Sequence, residues 1–215
     1  WNNVCSASKD LWLAAKKMTP PWPNKAFNLE HSVRHVAFSP SGSQLAFCMN
    51  NRTNQCVAHI WDRWGKETLL EGHPGHIYCM EYSLDWEYLA SGSECGSIHI
   101  WRAESFHTTT SQPQRERPTR TPTQADTIIV GHGYLSTALS FSRTDSNLLA
   151  SGGYNGEIKV WNVKEQACIH SSFNPHHGLI RSLCFAGGAN SGCIALTYDA
   201  SIIRLWRSEG SSDFA

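Results

Sequence analysis

Few residues in this chain have the types and spacing that chemistry uses. His132, Ser151 and Asn155 could supply the base, nucleophile and orienting group of a hydrolytic triad. The run Gly187-Gly188-Ala189-Asn190-Ser191-Gly192 is rich enough in glycine to cradle a phosphate, and His176-His177 offers imidazole to a metal. None of these grows into a full signature. The glycine run lacks the lysine of a phosphate loop and falls between two predicted strands, so it reads as a hairpin. His176-His177 has no second cluster of ligands beside it, and there is no G-x-S-x-G, no H-E-x-x-H and no evident carboxylate pair. The chain therefore reads as non-enzymatic, with no catalytic residue, no metal and no cofactor.

The elements that must position these residues announce themselves by repetition. Ala58-His59-Ile60-Trp61, Ile98-His99-Ile100-Trp101, Ile158-Lys159-Val160-Trp161 and Ile203-Arg204-Leu205-Trp206 share one pattern: apolar, basic, apolar, Trp. Period-two alternation is the mark of a strand with two different faces. The tryptophans recur at spacings of 40, 60 and 45 residues, which predicts an array of similar small sheets and makes binding a better expectation than catalysis. His73, His132 and His176 each stand nine residues before an aromatic residue (Tyr82, Phe141 and Phe185). In the first unit Phe38 holds that place, but Leu29 replaces the histidine. Turn-forming residues follow each of the first three aromatics, as in Ser39-Pro40-Ser41-Gly42, and then a second strand, clearest as Leu89-Ala90-Ser91-Gly92 and Leu149-Ala150-Ser151-Gly152.

On these residues, from about Glu30 to Arg207, the chain resembles the WD40 repeat family. The resemblance implies an all-β propeller of about four blades, near 30–70, 71–130, 131–173 and 174–207 within a repeat region 25–207, part of a larger ring because the chain begins at Trp1 and stops soon after Trp206. It also implies a structural tetrad. In the third unit the tetrad falls on His132, Ser151, Asn155 and Trp161, with Asn155 where the family usually has Asp. In the second, His73, Ser91 and Trp101 match, but Cys95 takes the place of the acid. His176, Asp199 and Trp206 stand for the fourth unit, and in the first Trp61 is the one repeat Trp followed by Asp, Asp62. A buried imidazole needs a partner for each ring nitrogen and a buried indole N–H needs an acceptor, so the His-Ser-Asx set reads as a stability device repeated from blade to blade. By the family's register, the partner-binding face is formed by His76, Tyr78, Glu94, Tyr134, Tyr154, Arg181 and Tyr198.

Composition narrows the partners. Eighteen Lys+Arg against 18 Asp+Glu leave no net charge and no basic stripe, so nucleic acid is not expected. No apolar run of about 18 residues is present, so no membrane helix is expected. None of the eight cysteines lies in a C-x-x-C pair, which favours reduced thiols in the cytoplasm or nucleus.

Two segments stand outside the repeat. Residues 102–127 are rich in Thr, Pro and Arg and predict a disordered insert between the third and fourth strands of a blade, in which Thr121-Pro122 is a candidate proline-directed phosphorylation site beside Arg117 and Arg120. Residues 1–24 predict a short helical segment over Asp10–Met18. The order Trp1-x-x-Val4-Cys5 then Asp10-Leu11-Trp12 resembles the C-terminal end of an F-box, although the Leu-Pro start that defines one is absent, and a plain linker helix fits equally well. The resemblance implies a substrate-recognition subunit of a cullin-RING ubiquitin ligase, with a cullin adaptor and a substrate protein as partners. The alternative is a WD-repeat scaffold with no ligase link. Residues 208–215 read as a tail.

Overall fold

The computed structural model describes residues 4–5, 29, 31–50, 56–62, 66–103, 122–173, 178–187, 192–199 and 202–207. They form four sheets built from successive antiparallel hairpins. The first contains β1 (Val4–Cys5), β2 (His31–Phe38), β3 (Gln44–Asn50), β4 (Ala58–Asp62) and β5 (Glu67–Leu70), with β9 (Pro122–Thr123) at its outer edge. The second orders β6 (Ile77–Tyr82), β7 (Tyr88–Ser93), β8 (Ser97–Arg102) and β10 (Thr127–Val130). The third runs β11 (Ser136–Phe141), β12 (Leu148–Gly153), β13 (Glu157–Asn162) and β14 (Ala167–Phe173), and the fourth β15 (Ile180–Phe185), β16 (Cys193–Tyr198) and β17 (Ile203–Arg207). Each Trp-ending phrase lies in a third strand: β4, β8, β13 or β17.

The sheets stack in chain order, with β2 against β6, β6 against β11 and β11 against β15. Three apolar layers fill the gaps. Ala46, Cys48, Ile60 and Leu70 of the first sheet meet Met80, Leu89 and Trp101 of the second. Cys79, Ala90, Ile98 and Ile100 meet Phe141, Leu149 and Trp161. Ala150, Ile158 and Val160 meet Ile180, Phe185 and Leu196. A middle sheet is thus covered on both faces, which is why β7 is buried along its whole length while β2, at one end of the row, alternates. Burying a large side chain such as Trp101 stabilises by about 2–3 kcal/mol. Apolar residues stay exposed at both ends of the row: Val36 and Phe38 on β2, Ile203 and Leu205 on β17. Close approach of the inner strands needs glycine at Gly152, where an added Cβ would lie 2.6 Å from Ile180 Cγ2.

The described ends of the segment 102–127 are structured. Ala103 is buried in the layer between the first two sheets, and Ala125 packs against it. Asp126 Oδ2 accepts from the Arg102 N–H at 2.6 Å, and β9 runs parallel to β5, pairing Leu69 with Pro122 and Leu70 with Thr123. Burial of the small residues and satisfied backbone offset the loss of chain entropy there. Val4 and Cys5, from the segment 1–24, form the short strand β1. They are extended and pair with Ser32 and His31, because the open edge of β2 satisfies their backbone. No helix occurs among the described residues; the helix expected over Asp10–Met18, residues 104–121 and the tail 208–215 lie outside them.

Candidate functional site

One irregularity recurs in all four inner strands. The pairing register shifts between Val33 and His35, between Ile77 and Cys79, between Ser136 and Ala138, and between Ile180 and Ser182. Each shift is a β-bulge, which re-aims side chains and is common beside functional sites. The bulged residues are Arg34, Tyr78, Thr137 and Arg181. Because the inner strands are neighbours, these four follow one another along one end of the row. The Arg34 guanidinium lies 4.1 Å above the Tyr78 ring, a cation–π contact between consecutive bulges. Arg181 Nε–H donates to Asp199, and both side chains are exposed.

A bulge leaves a strand carbonyl without its ladder partner, and the preceding sheet supplies the donor. Cys48 Sγ donates to Ile77 O at 3.4 Å, Cys79 Sγ to Ser136 O at 3.5 Å, and Thr137 Oγ1 to Ile180 O at 2.6 Å. Sulfur is a weak donor, so the last contact is the strongest of the three.

Loops at the same end carry the exposed aromatics. Tyr134 and Tyr154 are 68% and 57% exposed. Their loops are joined by the Tyr154 N–H to Leu135 O at 2.9 Å. The neighbouring turn of the second sheet is pinned close by. Gly96 has φ +78°, and a Cβ there would lie 2.0 Å from His132 O, so only glycine fits. Glu94 on that turn is exposed, and His76 and Tyr78 are half-buried. Tyr198 departs from the sequence expectation: it is 5% exposed and packs in the third apolar layer, because its position on β16 faces the third sheet. Arg34 and Thr137 were missed by sequence reading, since their equivalence to Tyr78 and Arg181 appears only when each strand is paired with its neighbour.

Behind this face lie the histidine networks. In the third sheet the Trp161 Nε1–H donates to Ser151 Oγ at 2.8 Å, and Ser151 Oγ lies 2.8 Å from His132 Nε2. Ionised Glu157 can only accept, so Nδ1 of the neutral imidazole carries the proton and Nε2 is left to accept from the Ser151 hydroxyl. The His132 Nδ1–H donates to Glu157 Oε2 at 3.1 Å. Burial lowers the His132 pKa although Glu157 opposes it. Partial burial disfavours ionised Glu157, but hydrogen bonds from His132 and Lys159 outweigh that and hold its carboxyl below the ordinary range. The acid of the network is therefore Glu157, not Asn155, whose Oδ1 accepts from the Glu157 N–H in the turn. Ser151 has no solvent exposure, so no substrate reaches its hydroxyl.

The other sheets vary this plan. In the second, Trp101 Nε1–H donates to Ser91 Oγ at 2.8 Å, and Ser91 Oγ lies 2.7 Å from His73 Nε2. Ser97 occupies the position of Glu157, four residues before the Trp. His99 stacks on His73 with centroids 3.6 Å apart, and the Nδ1 atoms of both are buried without a partner. Burial pushes His73 down to about 3, with His99 adding to it, and burial takes His99 to about 4. Cys95 is exposed on the turn and joins no such network. In the first sheet Phe47 stands at the serine register, stacked 5.0 Å from the His59 ring; His59 Nδ1 lies 2.7 Å from Glu67 Oε1, which also accepts from Trp61 Nε1 at 3.3 Å. Asp62 accepts from the Lys66 N–H at 2.8 Å, closing the turn to β5. In the fourth, Leu196 pairs with Arg204 at the serine register, Asp199 accepts from Arg181, and Trp206 packs against the third apolar layer. His176 lies outside the described residues. No group of three or more His, Cys, Asp and Glu among the described residues is placed to hold a metal.

The second and third sheets, each four-stranded, both hold a buried His-Ser-Trp chain. Residues 65–102 and 124–162 match the family model described as "WD domain, G-beta repeat". WD40 repeats are detected over these two segments of the chain. Among similar proteins are the human intraflagellar transport protein 122 homolog, 33% identical over 39% of this chain and 6% of that protein, and nuclear distribution protein nudF 1 of Talaromyces marneffei, 26% identical over 72% and 30%. Protein transport protein sec13 of Emericella nidulans is 23% identical over 71% of this chain and 48% of its own length. The chain thus spans less than half the length of each of these relatives. The crystal structure of the computationally designed Ika4 protein shares the fold, with a TM-score of 0.61 and 17% identity over 83% of this chain and 92% of that one.

Proposed function

We propose that this chain is a non-enzymatic protein-interaction module that receives a protein partner on the bulged end of its sheets. The observation that carries this is the pair of tyrosines, Tyr134 and Tyr154, exposed on two loops held together by a backbone hydrogen bond. Rigidly mounted tyrosines bury much apolar area at low entropic cost, and they are enriched where interface energy concentrates. The bulges behind them give the face a fixed frame. The names of the relatives speak of transport and nuclear distribution, which supports a scaffolding role inside the cell over a ligase link. The cullin-RING receptor expectation rests on the segment before Leu29 alone.

Affinity capture with the chain as bait tests the reading. Replacing Tyr134 and Tyr154 together by serine should remove specific partners, while Arg102→Gln at the opposite end of β8 should leave them. An unchanged partner set in the tyrosine variant would refute the face. A cullin and its adaptor among the captured proteins would favour the receptor reading over the scaffold.

A further inference from the structure

The bulge row holds two arginines, Arg34 and Arg181, on a face that also carries the exposed Glu94. Arg181 is matched by Asp199. Among the described residues no carboxylate pairs with Arg34, although it is exposed and its guanidinium carbon lies over the Tyr78 ring. Stacking occupies the face of a guanidinium and leaves its N–H edge free to donate in the plane. That edge is the geometry that takes a carboxylate with two parallel hydrogen bonds.

From the exposed Arg34 held against the Tyr78 ring we infer an anion-receiving subsite on the partner face, whose occupant is a glutamate- or aspartate-bearing peptide segment. This rests on the interaction reading above and names the chemistry of the partner. Tyr134 and Tyr154 would pack the apolar parts of the same segment, and the Arg34 edge would fix its register through one acidic side chain. A phosphate would carry the same sign of charge, so the test must separate the two.

The test uses the whole chain and three fluorescein-labelled probes: an octaglutamate peptide, an octaglutamine peptide, and a neutral peptide carrying one phosphoserine. Binding is read by fluorescence anisotropy at low and physiological salt. Octaglutamate is expected to bind, to weaken as salt rises, and to bind at least tenfold more weakly to Arg34→Gln, the loss expected when a hydrogen bond to a charged group is removed. Arg34→Lys, which keeps the charge but loses the planar guanidinium, should weaken it less. Arg102→Gln should leave it unchanged, and octaglutamine should not bind. Equal affinity of the wild type and Arg34→Gln for octaglutamate would overturn the subsite. Binding of the phosphoserine probe alone would overturn the carboxylate occupant. If octaglutamate fails on the wild type while the Tyr134/Tyr154 variant still loses captured partners, the anion preference is wrong and the interaction face stands. If both fail, both fall.

Discussion

Replacing Ser151 by alanine removes one oxygen and orphans two buried groups. The hydroxyl is fully sealed, accepts from Trp161 Nε1 and donates to His132 Nε2, each at 2.8 Å. Alanine fits the site and creates almost no cavity, so the cost is polar. An unsatisfied buried donor or acceptor costs about 1–3 kcal/mol, and two of them together about 2–6 kcal/mol. A domain of ordinary stability holds about 5–15 kcal/mol, so the variant should remain folded but fall to a visibly lower urea midpoint with the slope unchanged. Trp161→Phe removes the indole N–H. In the Ser151→Ala background it should therefore cost at least about 1 kcal/mol less than it does alone, since one orphan has already gone. A Ser151→Ala cost below about 0.5 kcal/mol, or additive single variants, would refute the view that the hydroxyl is the hub. The same substitution at Leu196, its register equivalent in the fourth sheet, would report only lost apolar packing.

Two pH effects of opposite sign should accompany this. His73 and His99 have folded pKa values near 3 and 4, below the ordinary 6.5, so the unfolded chain binds more protons beneath pH 6.5. Their contribution is present above pH 6.5 and lost as pH falls toward 4 and then 3; urea midpoints measured across that range should drop, and His99→Leu should flatten the drop. Burial of Glu81 lifts its carboxyl from 4.5 to about 7, against Arg143 and hydrogen bonds from Phe141 and Ser140. There the folded chain holds the extra proton, so stability falls as pH rises from 4.5 through 7, and Glu81→Gln should raise the urea midpoint at pH 8 while leaving it nearly unchanged at pH 4.

How much of this was legible in the sequence depended on how local the cause was. The Trp-ending phrases read as strands because their alternation is written in four consecutive residues, and β4, β8, β13 and β17 contain them. The acid beside His132 was not legible. Asn155 stands where a short acid would close the network, but its side chain is taken by the turn, and Glu157 reaches from the start of β13 instead. Nor could the Phe47–His59–Glu67 arrangement of the first sheet be read, because its three members come from three strands. The Tyr198 assignment failed because a shift of one residue on a strand exchanges faces. The bulges and the β5–β9 pairing depend on register between segments, which no single stretch of sequence encodes.

The side chains that answer the bulged carbonyls all point the same way along the chain. Cys48 serves Ile77, Cys79 serves Ser136 and Thr137 serves Ile180, so in every case the earlier sheet gives and the later sheet receives. Assembly therefore has a polarity. A sheet that has already formed presents its donor before the next inner strand arrives, and that strand finds its irregular carbonyl satisfied as it docks. A chain made from its N-terminus delivers the sheets in this order, each one serving as the template for its successor. Removed from its predecessor, a later sheet would expose the carbonyl at its own kink, so a truncation from the front is expected to unsettle the sheet that follows it, whereas one from the rear leaves a donor unused and exposes no kinked carbonyl.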